Sequence, residues 1–157
     1  MGLFSFLKGA GAKIFNKKEE EEVKNAPTTA DADRIKKDAM MRAVQALNLP
    51  VSNLTLDVDD DKVTVYGVAE TQVARELVVL TLGNNMGVSS VDDRMSVVKE
   101  EPQATFYEVK KGDSLSKIAK EHYGDAMKFN AIFEANKPML KDPNLIYPGQ
   151  MLRIPKQ

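Results

Sequence analysis

The apolar residues of this 157-residue chain fall into blocks separated by two charged segments, each of which contains a proline. The first segment, "NKKEEEEVKNAPTTADAD", occupies residues 16 to 33, and the second, "VKEEPQAT", occupies residues 98 to 105. Charged runs of this kind are typical of solvated linkers rather than of core elements. The chain is therefore constrained to fold as small domains, each with a small core and marginal stability alone.

Composition and charge exclude several classes of function. The chain carries 22 lysine and arginine residues against 23 aspartate and glutamate residues, a net charge of −1, with both signs interspersed. Such a surface provides no field that would hold a polyanion, so we expect no nucleic-acid partner. Cysteine is absent and His122 is the single histidine. These counts exclude a disulfide framework and a thiolate metal site, and they argue against a zinc site or a catalytic triad.

The N-terminal segment has the spacing of a short amphipathic helix over residues 3 to 15. Apolar residues recur there at intervals of three and four, at Leu3, Phe4, Leu7, Ala10 and Ile14. The apolar core "LFSFL" is shorter than the roughly 7 to 15 residues of a secretory signal, and no run approaches the ~18 residues of a membrane span. The acidic run behind it weakens attraction to anionic lipid. We expect an uncleaved helix that docks on the neighbouring domain of a cytoplasmic protein, without stable membrane association.

Residues 28 to 98 alternate between helical and strand periodicity. The stretch "ADRIKKDAMMRAVQALNL" predicts a helix that Asp31 or Asp33 can cap, and "ETQVARELVVLTLG" predicts a second helix that ends at Gly83. Between them, "NLTLDVDDDKVTVYG" alternates around an acidic turn, which is typical of a hairpin, and "VSSVDDRMSVV" predicts a third strand. The order αββαβ builds one small sheet with both helices on one face.

The tail, residues 105 to 157, has the pattern strand, helix, helix, strand (βααβ). Pro148-Gly149 fits a type II turn that leads into the last strand, and Pro155 ends that strand. The sequence thus predicts an α+β protein of two small domains, preceded by the short N-terminal amphipathic helix.

Two short motifs resemble known sites but lack the rest of the site. "LDVDDDK" has the first carboxylates of a calcium loop, but Lys62 replaces the sixth-position glycine and Val68 replaces the twelfth-position glutamate. A solvated hairpin turn is the better interpretation. "GDSL", residues 112 to 115, is also the signature block of a hydrolase family, but a serine nucleophile needs an oriented histidine, and His122 is only eight residues away. We expect Asp113 or Ser114 to cap the following helix.

The segment "GNNMGVSS", residues 83 to 90, joins the second predicted helix to the third strand. A phosphate-binding loop has the reverse order, with a strand before a helix and amides directed at the anion. The carboxyl end of a helix instead presents unpaired carbonyls and the negative end of the dipole, which suit a cation. Neutral carbonyls replace the hydration shell in potassium filters, whereas calcium and magnesium sites usually include carboxylates. The residues leave two interpretations open, an ordinary glycine C-cap and a carbonyl site for a cation.

Two family resemblances add to this interpretation. Residues 105 to 155 resemble a LysM module through "YEVKKGDSLSKIAKEHYG", "IFEANK" and "IYPGQMLRIP". Residues 28 to 98 resemble a BON domain through "VTVYGVAETQVARELVVLTLG" and "GVSSVDDRMSVV". Behind the start "MGLFSFLKGAGAKIF", the pair resembles bacterial cytoplasmic potassium-binding proteins with both domains. The implied domains are residues 1 to 27 (helix and charged linker), 28 to 98 (BON), 99 to 104 (linker) and 105 to 157 (LysM).

The resemblance implies a non-enzymatic monomer that binds a potassium ion and acts as a cytoplasmic sensor or buffer during osmotic or ionic stress. The ion would compact the two domains, and a protein partner of unknown identity would respond. Backbone carbonyls would hold the ion, three from the N-terminal segment and three from the turn after the second BON helix. The matching positions are Leu7, Ala10, Ala12, Gly83, Asn85 and Val88.

The LysM resemblance implies a second site, a shallow groove that binds N-acetylglucosamine chains between two loops. The matching positions are Gly112, Asp113, Ser114, Leu115, Asn144, Leu145, Ile146 and Tyr147. We expect the module to serve here as a clamp on the BON domain. The alternative is an envelope protein that binds peptidoglycan through LysM and phospholipid through BON, and cellular fractionation would distinguish the two.

Overall fold

A computed structural model describes residues 2–6, 17–85 and 87–156 of the chain. It shows seven β-strands and five α-helices in the described residues, in a mixed α+β arrangement that confirms the predicted fold class. In chain order they are β1 Gly2–Ser5, α1 Lys17–Lys24, α2 Thr29–Gln45, β2 Val51–Asp59, β3 Lys62–Thr71, α3 Gln72–Gly83, β4 Ser90–Asp93, β5 Ser96–Lys99, β6 Thr105–Glu108, α4 Leu115–Tyr123, α5 Phe129–Ala135 and β7 Met151–Ile154.

The elements from β1 to β5 form an N-terminal unit around one sheet, with strands in the order β1-β4-β3-β2 and β5 also paired with β3. The predicted hairpin is present, because β2 and β3 pair antiparallel around a turn at Asp60, whose φ is 54°. The predicted third strand is divided in two. Both β4 and β5 run parallel to β3, and between them Met95 turns into the core, with its N–H bonded to the Asp93 carboxylate.

Helices α2 and α3 contact each other and both pack on the sheet, so they cover the same face, as predicted. The start of α2 differs from the prediction, because the N-cap is Thr28 and not Asp31 or Asp33. The Thr28 hydroxyl accepts the Asp31 N–H at 3.1 Å. Asp33 instead accepts the Asp60 N–H of the hairpin turn. The predicted charged linker is also partly helical, because α1 lies within it and its Glu19 pairs with Arg42 of α2.

The prediction of a helix over residues 3 to 15 is wrong in its described part. Residues 2–5 form β1, which pairs antiparallel with β4, Gly2 opposite Asp93 and Ser5 opposite Ser90. Leu3, predicted on the buried face, is 70% exposed, whereas Phe6 is 8% exposed. Strand periodicity explains both, because side chains alternate between the two faces of a sheet. The segment does dock on the sheet of the N-terminal unit, but through strand pairing.

The elements from β6 to β7 form a C-terminal unit with the predicted βααβ order and a two-stranded antiparallel sheet. Its core consists of Val109, Leu115, Ile118, Ala119, Ile132, Leu140, Leu152 and Ile154. Gly149 has φ 89° and the Gln150 N–H bonds to the Tyr147 carbonyl, which is the expected turn before the last strand. Among the described helices of the whole chain, none combines the length and apolar character needed to cross a bilayer.

The two units meet along α3. The Glu76 carboxylate on α3 pairs with the Arg153 guanidinium on β7 at 3.3 Å, with only 5% and 6% of these side chains exposed. Glu76 also accepts the Ala104 N–H at 3.1 Å, and Arg153 donates to the Ala135 carbonyl at 2.7 Å. A buried pair of this kind fixes geometry, because each charge loses its water and depends on the other.

Glu76→Gln is expected to lower the free energy of unfolding by about 3–5 kcal/mol, because it leaves the Arg153 guanidinium buried without its counter-charge. Glu108→Gln breaks the exposed pair with Lys110 and is expected to change stability by less than about 1 kcal/mol. Urea unfolding midpoints of the two variants test this. Equal effects would show that the inter-unit pair does not contribute as a buried one.

Candidate functional site

Helix α3 places its carboxyl end in the interior of the protein. Thr71 caps its first turn by accepting the Ala74 N–H at 3.1 Å, and the helix ends at Gly83. Its buried residues lie on all sides of the helix, because the sheet covers one face and the C-terminal unit contacts another. The last carbonyls of a helix lack intrahelical partners and carry the negative end of its dipole. Burial therefore concentrates at this end carbonyl oxygen atoms that the helix itself does not fully satisfy.

The turn after α3 is closed by side-chain and backbone hydrogen bonds. The Asn85 side-chain amide donates to the Thr81 carbonyl at 2.9 Å and to the Leu82 carbonyl at 3.2 Å. The Asn85 carbonyl in turn accepts the Val88 N–H at 3.2 Å. Asn85 and Val88 are both buried, and Gly87 between them has φ 94°, a conformation that favours glycine. The predicted ligand positions Gly83, Asn85 and Val88 thus belong to one buried turn.

The N-terminal segment reaches this turn through Phe6. The Phe6 N–H donates to the Ser89 carbonyl at 2.8 Å, and a Cβ atom added at Gly83 would overlap the Phe6 ring. Gly83 is therefore required for close approach of the ring. The predicted ligand positions Leu7, Ala10 and Ala12 lie outside the described residues. The described chain brings the residue that precedes them onto the turn.

The oxygen donors described at this turn are backbone carbonyls, with the Asn85 side-chain amide bonded among them. Across residues 2–6, 17–85 and 87–156, no three carboxylate, imidazole or thiolate side chains are grouped so that they could hold a metal ion. Backbone carbonyls at the end of α3, with the amide oxygen and carbonyl of Asn85 nearby, are what this turn offers a cation. Oxygen donors without formal charge suit a large monovalent ion better than calcium or magnesium.

Asn84, the C-cap of α3, connects the turn to the C-terminal unit. Its side-chain amide donates to the Met151 carbonyl at 2.9 Å, and its amide oxygen accepts the Met151 N–H at 2.8 Å. Its own carbonyl accepts the Tyr147 hydroxyl at 3.2 Å. Asn84 is 7% exposed. The residue between two predicted ligands is thus bonded to the other unit.

The first predicted groove loop has mainly internal contacts. Asp113 accepts the Tyr107 hydroxyl at 2.6 Å and the Lys110 N–H at 2.8 Å. The hydrogen bond to Asp113 raises the pKa of Tyr107 to about 12, and the same bond lowers the pKa of Asp113. Ser114 accepts the Lys117 N–H and caps α4, which confirms one of the two predicted caps. Of the remaining positions in this loop, Leu115 is buried in the core and Gly112 has φ 87°.

The second predicted groove loop faces the N-terminal unit in part. Leu145 is 64% exposed, Ile146 packs on the C-terminal core, and the Asn144 N–H bonds to the Asp142 carboxylate. Leu145 and Tyr147 line a cavity of about 330 Å³ that Thr81, Asn84 and Asn85 line from the other side. Part of this loop therefore lies against the turn after α3.

Sequence reasoning missed Phe6 and Asn84 as site residues. Phe6 had a detectable signal, because Phe4 and Phe6 alternate with Ser5 in strand fashion within "LFSFL". Asn84 had none, since its partner Met151 is 67 residues away in the chain. His122 packs edge-on against the Tyr107 ring at 5.1 Å.

Comparison with known proteins gives three findings. Residues 107–155 match the model of the LysM domain. The chain is 39% identical over 157 residues to the "Potassium binding protein Kbp" of Escherichia coli O6:H1, with all of both chains covered. It is 35% identical over 138 residues to an "Uncharacterized protein" of Deinococcus radiodurans, covering 80% of this chain and 53% of that protein. The match to the Escherichia coli protein spans the N-terminal segment, the turn after α3 and the C-terminal unit together.

Gly83→Ala is expected to destabilise the protein by about 1–3 kcal/mol, because the added methyl group displaces the Phe6 ring. In a Phe6→Ala background the same change is expected to be neutral or stabilising by up to about 1 kcal/mol, since alanine is the better helix former. A double-mutant cycle by urea unfolding measures the coupling. A Gly83→Ala effect that is the same in both backgrounds would contradict the contact.

Proposed function

We propose that this chain, which belongs to the family of the potassium binding protein Kbp of Escherichia coli, binds a potassium ion at the turn after α3. The full-length match to a relative named for that activity carries the proposal. The buried end of α3 supports it, because a site built from backbone carbonyls needs no acidic side chain.

The proposed ligands are backbone carbonyls from two directions. Gly83, Asn85 and Val88 would supply one side, and the N-terminal segment would supply the other through Leu7, Ala10 and Ala12. The Phe6 contacts with Gly83 and Ser89 support convergence of the two segments. Asn85 contributes a second feature: its side-chain amide occupies the Thr81 and Leu82 carbonyls. It would therefore limit which helix oxygens remain available to the ion.

The ion would stabilise the compact arrangement because the site requires parts of the chain that meet only in the folded protein. A ligand that binds the folded state alone stabilises it by RT ln(1 + [L]/Kd), which is about 2.7 kcal/mol at a hundredfold excess over Kd. The stabilisation would thus follow the potassium concentration. This behaviour suits a sensor or buffer in osmotic or ionic stress.

The biological setting extends the proposal. We infer a binding protein without catalytic activity, because the serine of "GDSL" caps α4 and the single histidine packs on Tyr107. The BON identity of the N-terminal unit, the cytoplasmic location, the monomeric state and a responding protein partner stay predictions. The αββα core with a following β-segment is consistent with a BON domain.

The LysM match favours a second candidate function, glycan binding by the C-terminal unit. Several predicted groove residues have internal roles instead, since Leu115 is buried, Ser114 caps α4 and Tyr147 bonds to Asn84. These contacts favour the clamp function over an open glycan groove. An envelope location of the intact chain would favour the glycan function.

Calorimetric titration at constant ionic strength is expected to show binding of potassium, rubidium and caesium and much weaker binding of sodium and magnesium. The reason is that neutral carbonyls match the field strength of large, weakly hydrated ions. Lithium chloride can hold the ionic strength in every arm. Equal heats and affinities for sodium and potassium would contradict a carbonyl site of this kind.

Gly87→Val is expected to weaken potassium binding at least tenfold, because a β-branched residue resists φ 94° and would displace the Asn85 and Val88 carbonyls. A Cβ atom at Gly87 would meet nothing within 4 Å, so the effect would come from the backbone alone. Gly124→Val is the matched control, because Gly124 has φ 74° in equally open space at the end of α4.

The control variant is expected to lose stability while its potassium affinity stays within about twofold of the wild type. The reason is that Gly124 ends α4 in the C-terminal unit, and substitutions at separate sites act independently. Calorimetry on both variants decides the question. Wild-type affinity in Gly87→Val would place the ion elsewhere.

A further inference from the structure

The outer edge of β7 is bonded by two asparagine side chains. On its inner edge, β7 pairs with β6, with Leu152 opposite Tyr107 and Ile154 opposite Thr105. On its outer edge, the N–H and carbonyl of Met151 bond to the Asn84 side chain, and those of Arg153 bond to the Asn136 side chain at 2.7 and 3.0 Å. Residues two apart on a strand direct their backbone groups to the same edge.

A carboxamide has the same donor and acceptor as a peptide group. Asn84 and Asn136 therefore occupy the places that two residues of a third strand would fill. Asn136 belongs to the C-terminal unit itself, at the end of α5. Asn84 belongs to the N-terminal unit, so only docking of the two units completes the bonds of Met151.

The backbone of Asn84 is held at the same time by α3 and by the C-terminal unit. Its N–H bonds to the Leu80 carbonyl at 2.8 Å, and its carbonyl accepts the Tyr147 hydroxyl. The proposed ligands Gly83 and Asn85 lie directly before and after it. Any change of peptide orientation that aligns those two carbonyls on an ion therefore also sets the direction of the Asn84 side chain.

We infer that Asn84 couples occupancy of the ion site to docking of the C-terminal unit on α3. This inference rests on the proposed function, because it assigns a regulatory role to the residue between two proposed ligands. Asn84 is a positioning residue, because its side chain and its carbonyl bond to the C-terminal unit and the proposed ligand oxygens belong to its neighbours. The ion orders the turn, the ordered turn presents the Asn84 amide to Met151, and the docked unit in return holds the turn in its binding conformation.

Reciprocity follows from thermodynamic linkage, because two events that share one conformation strengthen each other by the same factor. Coupling of this type usually amounts to about 5- to 150-fold in affinity. Loss of the Asn84 amide is thus expected to weaken potassium binding within that range. It is also expected to abolish the effect of potassium on docking.

The experiment compares wild type, Asn84→Ala and Asn136→Ala in the full-length chain, with potassium chloride against lithium chloride at constant ionic strength. Calorimetry measures the affinity. Hydrogen exchange at the Ala104 amide measures docking, because Ala104 directly precedes β6 and its amide bonds to Glu76 on α3, eight residues before Asn84. Asn136→Ala is the matched control, since it removes the same pair of backbone bonds from Arg153 within the C-terminal unit.

In the wild type, potassium is expected to slow Ala104 exchange by the coupling factor. In Asn84→Ala, we expect weaker binding by about 5- to 150-fold and no potassium-dependent slowing. Asn136→Ala is expected to keep both the affinity and the slowing. If Asn84→Ala keeps the wild-type affinity and the potassium-dependent slowing of Ala104 exchange, the inference about Asn84 is overturned and the proposed function stands. If the wild type does not bind potassium, the proposed function is overturned as well.

A second variant covers the case in which Asn84→Ala does not fold. Tyr147→Phe removes only the hydroxyl that the Asn84 carbonyl accepts. It is expected to reduce both the affinity for potassium and the slowing of Ala104 exchange, in the same proportion. Unchanged values of both in a folded Tyr147→Phe protein would overturn the inference.

Discussion

The structure depends on the burial of α3 between a sheet and a second unit. An ordinary amphipathic helix leaves one polar face in water, but α3 has buried residues on all its sides. Its one buried acid, Glu76, is therefore paired with Arg153, and the buried residues at its carboxyl end leave its carbonyls little access to solvent. Two asparagines take over that role, Asn85 within the turn and Asn84 toward β7. The candidate site and the unit interface are thus two consequences of the same burial.

Close approach of three chain segments at one point follows from small residues and amides. Gly83 admits the Phe6 ring, and Gly87 permits the backbone to reverse toward β4. Side-chain amides of Asn84 and Asn85 complete backbone bonds that neither a helix nor a strand provides. The same contacts therefore have two effects, because they fix the backbone of the turn and also shield its oxygen atoms from water.

Much of the fold was predictable from sequence because its signals are local. The α2 and α3 periodicities, the hairpin around Asp60 and the βααβ order of the tail each depend on residues close in the chain. The errors occurred where tertiary pairing prevails over local pattern. The apolar residues of the N-terminal segment have helical spacing over a longer window, but residues 2–5 pair with the edge of β4 and form a strand.

The candidate site was predictable only in part. The order of helix before strand, together with two glycines, indicated the turn after α3. The family resemblance indicated potassium as the cation that this turn would bind. The division of the third strand at Met95 and the bonds from Asn84 to Met151 depend on contacts between distant residues. Such contacts leave no periodicity or motif in a single sequence.

The pairing of β1 with β4 has a consequence for the order of events during synthesis. Gly2 lies opposite Asp93, so the first strand cannot take its place until the ribosome has released the chain beyond that residue. Contacts between such distant residues form late, because closing a long loop costs entropy before any contact is gained. The hairpin of β2 and β3 can form much earlier. A newly made chain would therefore acquire the candidate ion-binding turn only after most of the N-terminal sheet exists, and an ion bound there would act on a nearly finished fold rather than start it.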